Sequence, residues 1–157
     1  TTGRNAAGNI NQNKIMTACI SVNYSKRKSA DNELKPTIMI KKFNWETIPT
    51  EDVNPSMARK IISGEKLMIA RMKFKDGFVV PLHNHIHEQV TQVISGSMRF
   101  WFGENKEQSM ELYPGDVVVI PSNLPHEAMM IGEVEEIDTW APPREDWLDK
   151  TDDYLRK

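Results

Sequence analysis

The sequence predicts a small all-β barrel or sandwich, and three observations carry that prediction. From about Thr37 onward, short β-rich runs follow one another at close spacing. Each break between them holds Gly, Pro, Asn or Asp, the residues that supply turn geometry. The chain of 157 residues is long enough for one domain with a real core and too short for two comfortable ones.

Taken in order, Thr37 to Trp45 is the first β-rich run, and Lys66 to Phe74 the next, closed by Asp76-Gly77. Phe78 to Leu82 leads into a histidine cluster. Gln89 to Ile94 and Met98 to Phe102 read as two strands joined by a turn at Ser95-Gly96-Ser97. Ser109 to Leu112, Val117 to Ile120, His126 to Met130 and Val134 to Trp140 complete the set. Met98 to Phe102 is apolar on both faces, which calls for one face in the core and the other under the tail helix or a second subunit. Behind Pro142-Pro143, Trp147, Leu148, Tyr154 and Leu155 fall at roughly helical spacing, as in a short helix on the barrel's outside. The division expected is an N-terminal extension over 1–36, a barrel over 37–143 and a helical tail over 144–157. The extension is polar, apart from Ile15 to Val22, and reads as a mobile segment or an arm on a partner subunit.

Bulk composition removes several classes of function. A formal net charge of −2 gives no reason to expect nucleic acid or an anionic membrane as partner. The run Lys26-Arg27-Lys28 is a solvated charge cluster on this reading. No apolar run is long enough to span a bilayer, and no secretory leader is visible. One cysteine, Cys19, excludes an intramolecular disulfide framework and reads as an inert thiol. A cytoplasmic location fits these features. The nine methionines read as core filler, and no phosphate-binding glycine loop or Ser-His-Asp order is present.

The chemistry lies with the histidines. Three of the four stand in His83-Asn84-His85-Ile86-His87, and the fourth is His126. Residues two apart in a strand share a face, so His83 and His85 present their imidazoles side by side. Gln89 follows with the same parity. Imidazole suits several transition ions; a pair of surface histidines is the plainer alternative. Further on, Asp138 and Trp140 share a strand face, and Arg144 follows two prolines that stiffen the exit. A carboxylate, an aromatic wall and a guanidinium suit binding and proton transfer on a small acid. The plainer reading makes Asp138 a strand-end pairing group and Arg144 a surface charge.

Two blocks resolve these alternatives by resemblance. The first runs Gly77, five residues, His83-Asn84-His85, three residues, Gln89, six residues, Gly96. The second runs Gly115, five residues, Pro121, then His126. Together they resemble the two ordered motifs of the cupin superfamily over about Lys66 to Trp140, with Gln89 in place of the customary Glu, Asn123 for a glycine and Met130 for an asparagine. The resemblance implies a single-domain double-stranded β-helix, or jelly-roll barrel, with a short C-terminal helix or tail. It implies one divalent transition ion (nickel, zinc, iron or manganese) held by His83, His85, Gln89 and His126, with His87 outside that set. Three neutral imidazoles and a neutral amide leave the ion's charge uncompensated, which favours an anionic, oxygen-rich ligand.

His-x-His-x-His-Glu-Gln and Asp-x-Trp-x-Pro-Pro-Arg-Glu-Asp further resemble the small cupins of the KdgF type, from pectin and alginate catabolism. That likeness implies conversion of unsaturated uronates to the linear keto form. It places Asp138 and Arg144 as catalytic groups and Trp140 with Arg144 at the substrate, with Trp140 where the group has Phe. A homodimer is the assembly implied. Two other readings remain at this stage: an oxygenase or carbon–carbon lyase using iron or manganese, and a non-enzymatic barrel that binds a small acid or sugar.

Overall fold

The structure, a computed structural model, describes residues 20–21 and 40–156. Its strands are β1 (Ile20–Ser21), β2 (Glu51–Asn54), β3 (Met57–Ser63), β4 (Met68–Phe74), β5 (Val79–His83), β6 (Glu88–Phe102), β7 (Gln108–Leu112), β8 (Val117–Ile120) and β9 (His126–Ala141). One helical turn, α1 (Glu145–Leu148), and a 3-10 turn at Asp153–Leu155 form the tail. Cys19, Lys26 to Lys28 and nearly all of the 1–36 extension lie outside the described residues.

All nine strands join one sheet in the order β1-β3-β4-β9-β6-β7, with β2 on β3, β5 on β9 and β8 on β6. The two long strands, β6 and β9, pair antiparallel from Glu88↔Ala141 to Phe102↔His126. Each takes different second partners along its two halves: β8 then β7 for β6, and β5 then β4 for β9. That exchange rolls the sheet into a double-stranded β-helix around one core. Met68, Ala70, Met72, Val93, Met98, Phe100, Ile120 and Met130 fill it, alternating with outward residues at the two-residue period.

The turn read at Ser95-Gly96-Ser97 is a bulge inside β6, and Gly132 interrupts β9 without ending it. Gly96 sits at φ +76°, and a Cβ there would lie 2.3 Å from the Glu133 carbonyl oxygen. Glycine is therefore used to bring two backbones together and switch the inward face from Gln89, Thr91 and Val93 to Met98, Phe100 and Phe102. The expected strand at Thr37 to Trp45 is not formed over its described part. Asn44 draws the chain into a turn instead, its Oδ1 accepting from the Glu46 amide at 2.9 Å. Strands β2 and β3 were not foreseen, because β3 directs a charged residue, Arg59, inward between Met57 and Ile61.

Arg59 explains how the tail is held. Its Nε donates to Glu51 Oε2 at 2.9 Å and its Nη1 to Asp152 Oδ2 at 2.6 Å, with its Cζ 4.3 Å from the Trp147 ring centroid. Arg156 adds Nε to Asp152 Oδ1 (2.7 Å) and Nη2 to Glu51 Oε1 (2.9 Å). The tail is thus two separate turns with Trp147 and Leu155 buried in the core, lying over the barrel mouth and not as one helix on its outside. Outward Trp101 is not covered by the tail; within the chain it faces the cations of Arg99 and Lys106, at 5.9 and 5.4 Å. Removing one member of a buried charge network strands the others. Arg59→Met is expected to cost about 3–5 kcal/mol of unfolding free energy in urea denaturation; a loss under about 1 kcal/mol would mean that Arg156 alone holds the tail.

Candidate metal centre

Pairing places the histidines at one end of the barrel. His83 ends β5 and sits directly opposite His126, the first residue of β9. His85 lies in the β5–β6 connection and not in the extended strand that parity suggested. That connection is fixed because the Asn123 amide donates to the His85 carbonyl at 2.7 Å. Asn123 itself stands at φ +63°, so it supplies the left-handed turn for which the family's motif has glycine. One ring nitrogen from each of His83, His85 and His126 falls within 4.8 Å of the others.

The ring orientations are set by backbone carbonyls. Nδ1 of His83 meets the Pro81 carbonyl at 2.8 Å, Nδ1 of His85 the His87 carbonyl at 3.0 Å, and Nδ1 of His126 the Leu124 carbonyl at 2.8 Å. A carbonyl only accepts, so each Nδ1 carries the hydrogen and each Nε2 presents a lone pair. Burial, then the nearby charge of His126, holds His83 down to about 3. Burial, then Arg144, holds His85 down to about 4. Burial and Arg144 also lower His126. All three rings are neutral near pH 7, as metal binding needs. Nε2 of His126 is buried and without a partner among the described residues.

Gln89 is oriented as firmly. The indole Nε1–H of Trp140, a donor only, reaches Gln89 Oε1 at 2.8 Å. Gln89 Nε2 donates to Thr91 Oγ1 and to Asp138 Oδ2, both at 2.9 Å. Oε1 therefore faces Nε2 of His85 at 3.1 Å, acceptor against acceptor. Two lone pairs at that separation, beside an orphaned imidazole nitrogen, fit a cation between them. His83, His85 and His126 through Nε2 and Gln89 through Oε1 are the groups that could hold it. The ring of His87 plays no part in this cluster; its backbone carbonyl fixes His85.

The remaining predicted residues are all near. Asp138, Trp140 and Arg144 are buried, and with His83, Gln89 and His126 they line a cavity of about 30 Å³. Arg144 gives Nε and Nη2 to the two oxygens of Asp146, at 2.8 and 2.6 Å. Two residues escaped the sequence reading. Tyr154 lines the same cavity, as does Glu136, one strand period before Asp138 on the same inward face. The two-residue period that singled out Asp138 and Trp140 includes Glu136 as well. Tyr154 had no such signal, since its place depends on tertiary packing of the tail.

The fold and the histidine cluster define a small double-stranded β-helix with a metal-type donor set at its mouth. The chain belongs to the cupin family, as a small, KdgF-like member. Residues 70–136 match the family described as "Cupin domain". KdgF from a Halomonas species is 30% identical, with a TM-score of 0.62 over 67% of this chain and 97% of that one. An RmlC-like cupin from Shewanella frigidimarina is 26% identical, with a TM-score of 0.62 over 67% and 93%. Oxalate decarboxylase from Bacillus subtilis is 21% identical, with a TM-score of 0.61 over 70% and 32%, a likeness of fold alone. No curated protein matches the chain. No helix among the described residues is long and apolar enough to cross a membrane.

Glu136 and Asp138 share the barrel interior, and among the described residues neither forms an ion pair. Burial, then the neighbouring Asp138 charge, raises Glu136 well above its usual range. Burial raises Asp138 to about 7 against the opposing pull of the Thr91 hydroxyl and Arg144. A carboxyl raised on folding binds its proton more tightly in the native state, so its contribution is whole below the unfolded value and declines as pH rises through the folded one. In metal-free protein, Glu136→Gln should therefore gain stability relative to wild type between pH 5 and pH 8. Urea denaturation at both pH values reads this directly, and an unchanged difference would place an unseen cation beside Glu136.

Proposed function

We propose that this protein is a metal-dependent enzyme that opens and tautomerises unsaturated uronates. What supports this most is Asp138: a buried carboxyl poised near pH 7, with Oδ2 tied to Gln89 and Oδ1 unpartnered at the cavity. A group with a pKa near the working pH both takes and returns a proton. Arg144 adds a cation: among the described residues its Nη1 has no partner and its Nη2 is shared between Asp146 and the Tyr154 hydroxyl, so a substrate carboxylate can take Nη1 and displace the tyrosine from Nη2. A divalent transition ion on His83, His85, Gln89 and His126 would supply a Lewis acid beside these groups.

The reaction needs two proton transfers in turn and consumes no proton. Ring opening breaks the bond between C1 and the ring oxygen; the C1 hydroxyl loses its proton as the aldehyde forms, and the ring oxygen is protonated as an enol. Tautomerisation removes that enol proton, and C4 gains one as C5 becomes a ketone. Asp138 is the acceptor and donor in this relay. Arg144 fixes the carboxylate, and Trp140, its N–H committed to Gln89, walls the cavity. A homodimer belongs to the same proposal and rests only on the family likeness.

The small cavity, about 30 Å³, favours a second reading. Sites for small molecules usually run about 300–1,000 Å³. An acid of two or three carbons, handled by oxygen-dependent or carbon–carbon lyase chemistry, demands less room. Oxygen uptake and carbon dioxide release with such acids separate it from the first.

Elemental analysis should find close to one transition ion per wild-type chain and a small fraction of that in His126→Ala. Equal content in the two would remove the histidine cluster as the site. The metal-loaded protein should accelerate loss of the ultraviolet absorbance of 4,5-unsaturated galacturonate over the spontaneous rate. Asp138→Asn should lose that acceleration and keep its metal; a wild-type rate in this variant would take Asp138 out of the relay.

A further inference from the structure

We infer that Tyr154 is the gate of the metal pocket: its side chain closes the barrel mouth by docking on His83 and Arg144 and rotates away to admit a ligand. The inference rests on the reading of this pocket as a metal and anion site, and deepens it. The Tyr154 ring lies 5.0 Å from the His83 ring, centroid to centroid, with 30° between the planes. Its hydroxyl accepts from Arg144 Nη2 at 3.1 Å, where an acid oxygen of a ligand would also bind. With the ring in place the cavity has about 30 Å³, far below the ~300 Å³ at which sites for small molecules usually begin.

The backbone on either side of the tyrosine is pinned. Asp152 is fully buried on Arg59 and Arg156, and the Leu155 carbonyl accepts from Asn54 Nδ2 at 2.7 Å. The tail therefore stays docked while the half-buried Tyr154 side chain swings, which distinguishes a gate from a detached strap. Opening exchanges the Arg144 hydrogen bond for one to the incoming acid, so larger acids pass only at the expense of that latch.

A gate changes rates in both directions and leaves equilibrium affinity alone, whereas a damaged site loses affinity. With the full chain loaded with zinc, release to excess 4-(2-pyridylazo)resorcinol should quicken about threefold in Tyr154→Phe, which keeps the ring and loses the latch. It should quicken about tenfold or more in Tyr154→Ala, which loses both. Zinc uptake should quicken to match, at constant Kd. In metal-free protein, diethyl pyrocarbonate should acylate His83 faster in Tyr154→Ala, whether or not the uronate reading holds. A wild-type rate in Tyr154→Phe, or faster release with slower uptake and a weaker Kd, overturns the gate. Absence of uronate turnover beside these accelerated rates counts against the proposed reaction and leaves the gate standing.

Discussion

The pairing of β6 with β9 is the constraint from which both barrel and site follow. The same ladder that sets Phe102 across from His126 sets Thr91 across from Asp138 and Gln89 across from Trp140. Because the side-chain period of a strand is two, a slip of one residue would turn the amide and the carboxyl out of the barrel together. The bulge at Gly96 shifts the register by one residue, which changes the inward parity of β6 while that of β9 stays the same. Thus one half of the strand lines the site with polar groups and the other packs the core with Met98, Phe100 and Phe102. The backbone contact at Glu133 that only glycine permits is accordingly a condition for the site.

Charge inside the barrel is arranged around that ladder. The histidine rings are kept neutral by burial and by Arg144, so they offer lone pairs and not positive charge. Asp138 cannot simply ionise in the same space, yet its Oδ2 must accept from Gln89 if the amide is to present Oε1 to His85. Trp140 enforces the same orientation from the other side. The Gln amide therefore presents its oxygen in a fixed direction, whereas in water either end of the amide would serve. The arrangement leaves an orphaned nitrogen on His126 and two facing acceptors, a deficit of positive charge that no described side chain fills. The polar interior is incomplete by itself, which is unfavourable for folding and favourable for binding.

Much of this was legible in the sequence because it is local or periodic. His83, Gln89 and His126 fall at set distances from glycines and prolines that make turns, and strand parity brings Asp138 and Trp140 to one face. Asn123 shows the limit of reading letters: it departs from the family's glycine, yet adopts the left-handed conformation that glycine would. What was not legible depends on contacts remote in sequence. Arg59 looks like a solvent-facing charge until Glu51, Asp152 and Trp147 close around it, and that disguise hid two strands. Glu136 was visible by parity but carries no motif. Tyr154 belongs to a tail whose spacing suggested a helix, while Trp147 and Leu155 are drawn into the core separately.

The tail ties the stability of the fold to the chemistry of the mouth. Trp147 touches both the Arg59 network and, at 4.6 Å between ring centroids, Trp140, which orients Gln89. A disturbance at Asp152 or Glu51 thus reaches a candidate ligand through two aromatic rings and one hydrogen bond. Arg144 begins the same tail, held by Asp146 two residues on and by Tyr154 ten residues on. The guanidinium that would receive an acid is consequently placed by residues that lie outside the two motif blocks. On the proposed reading, proteins sharing the histidines and Gln89 but not this tail would keep the metal-type donor set and differ in the acids they admit, because the tail brings Arg144 and Tyr154 to the mouth.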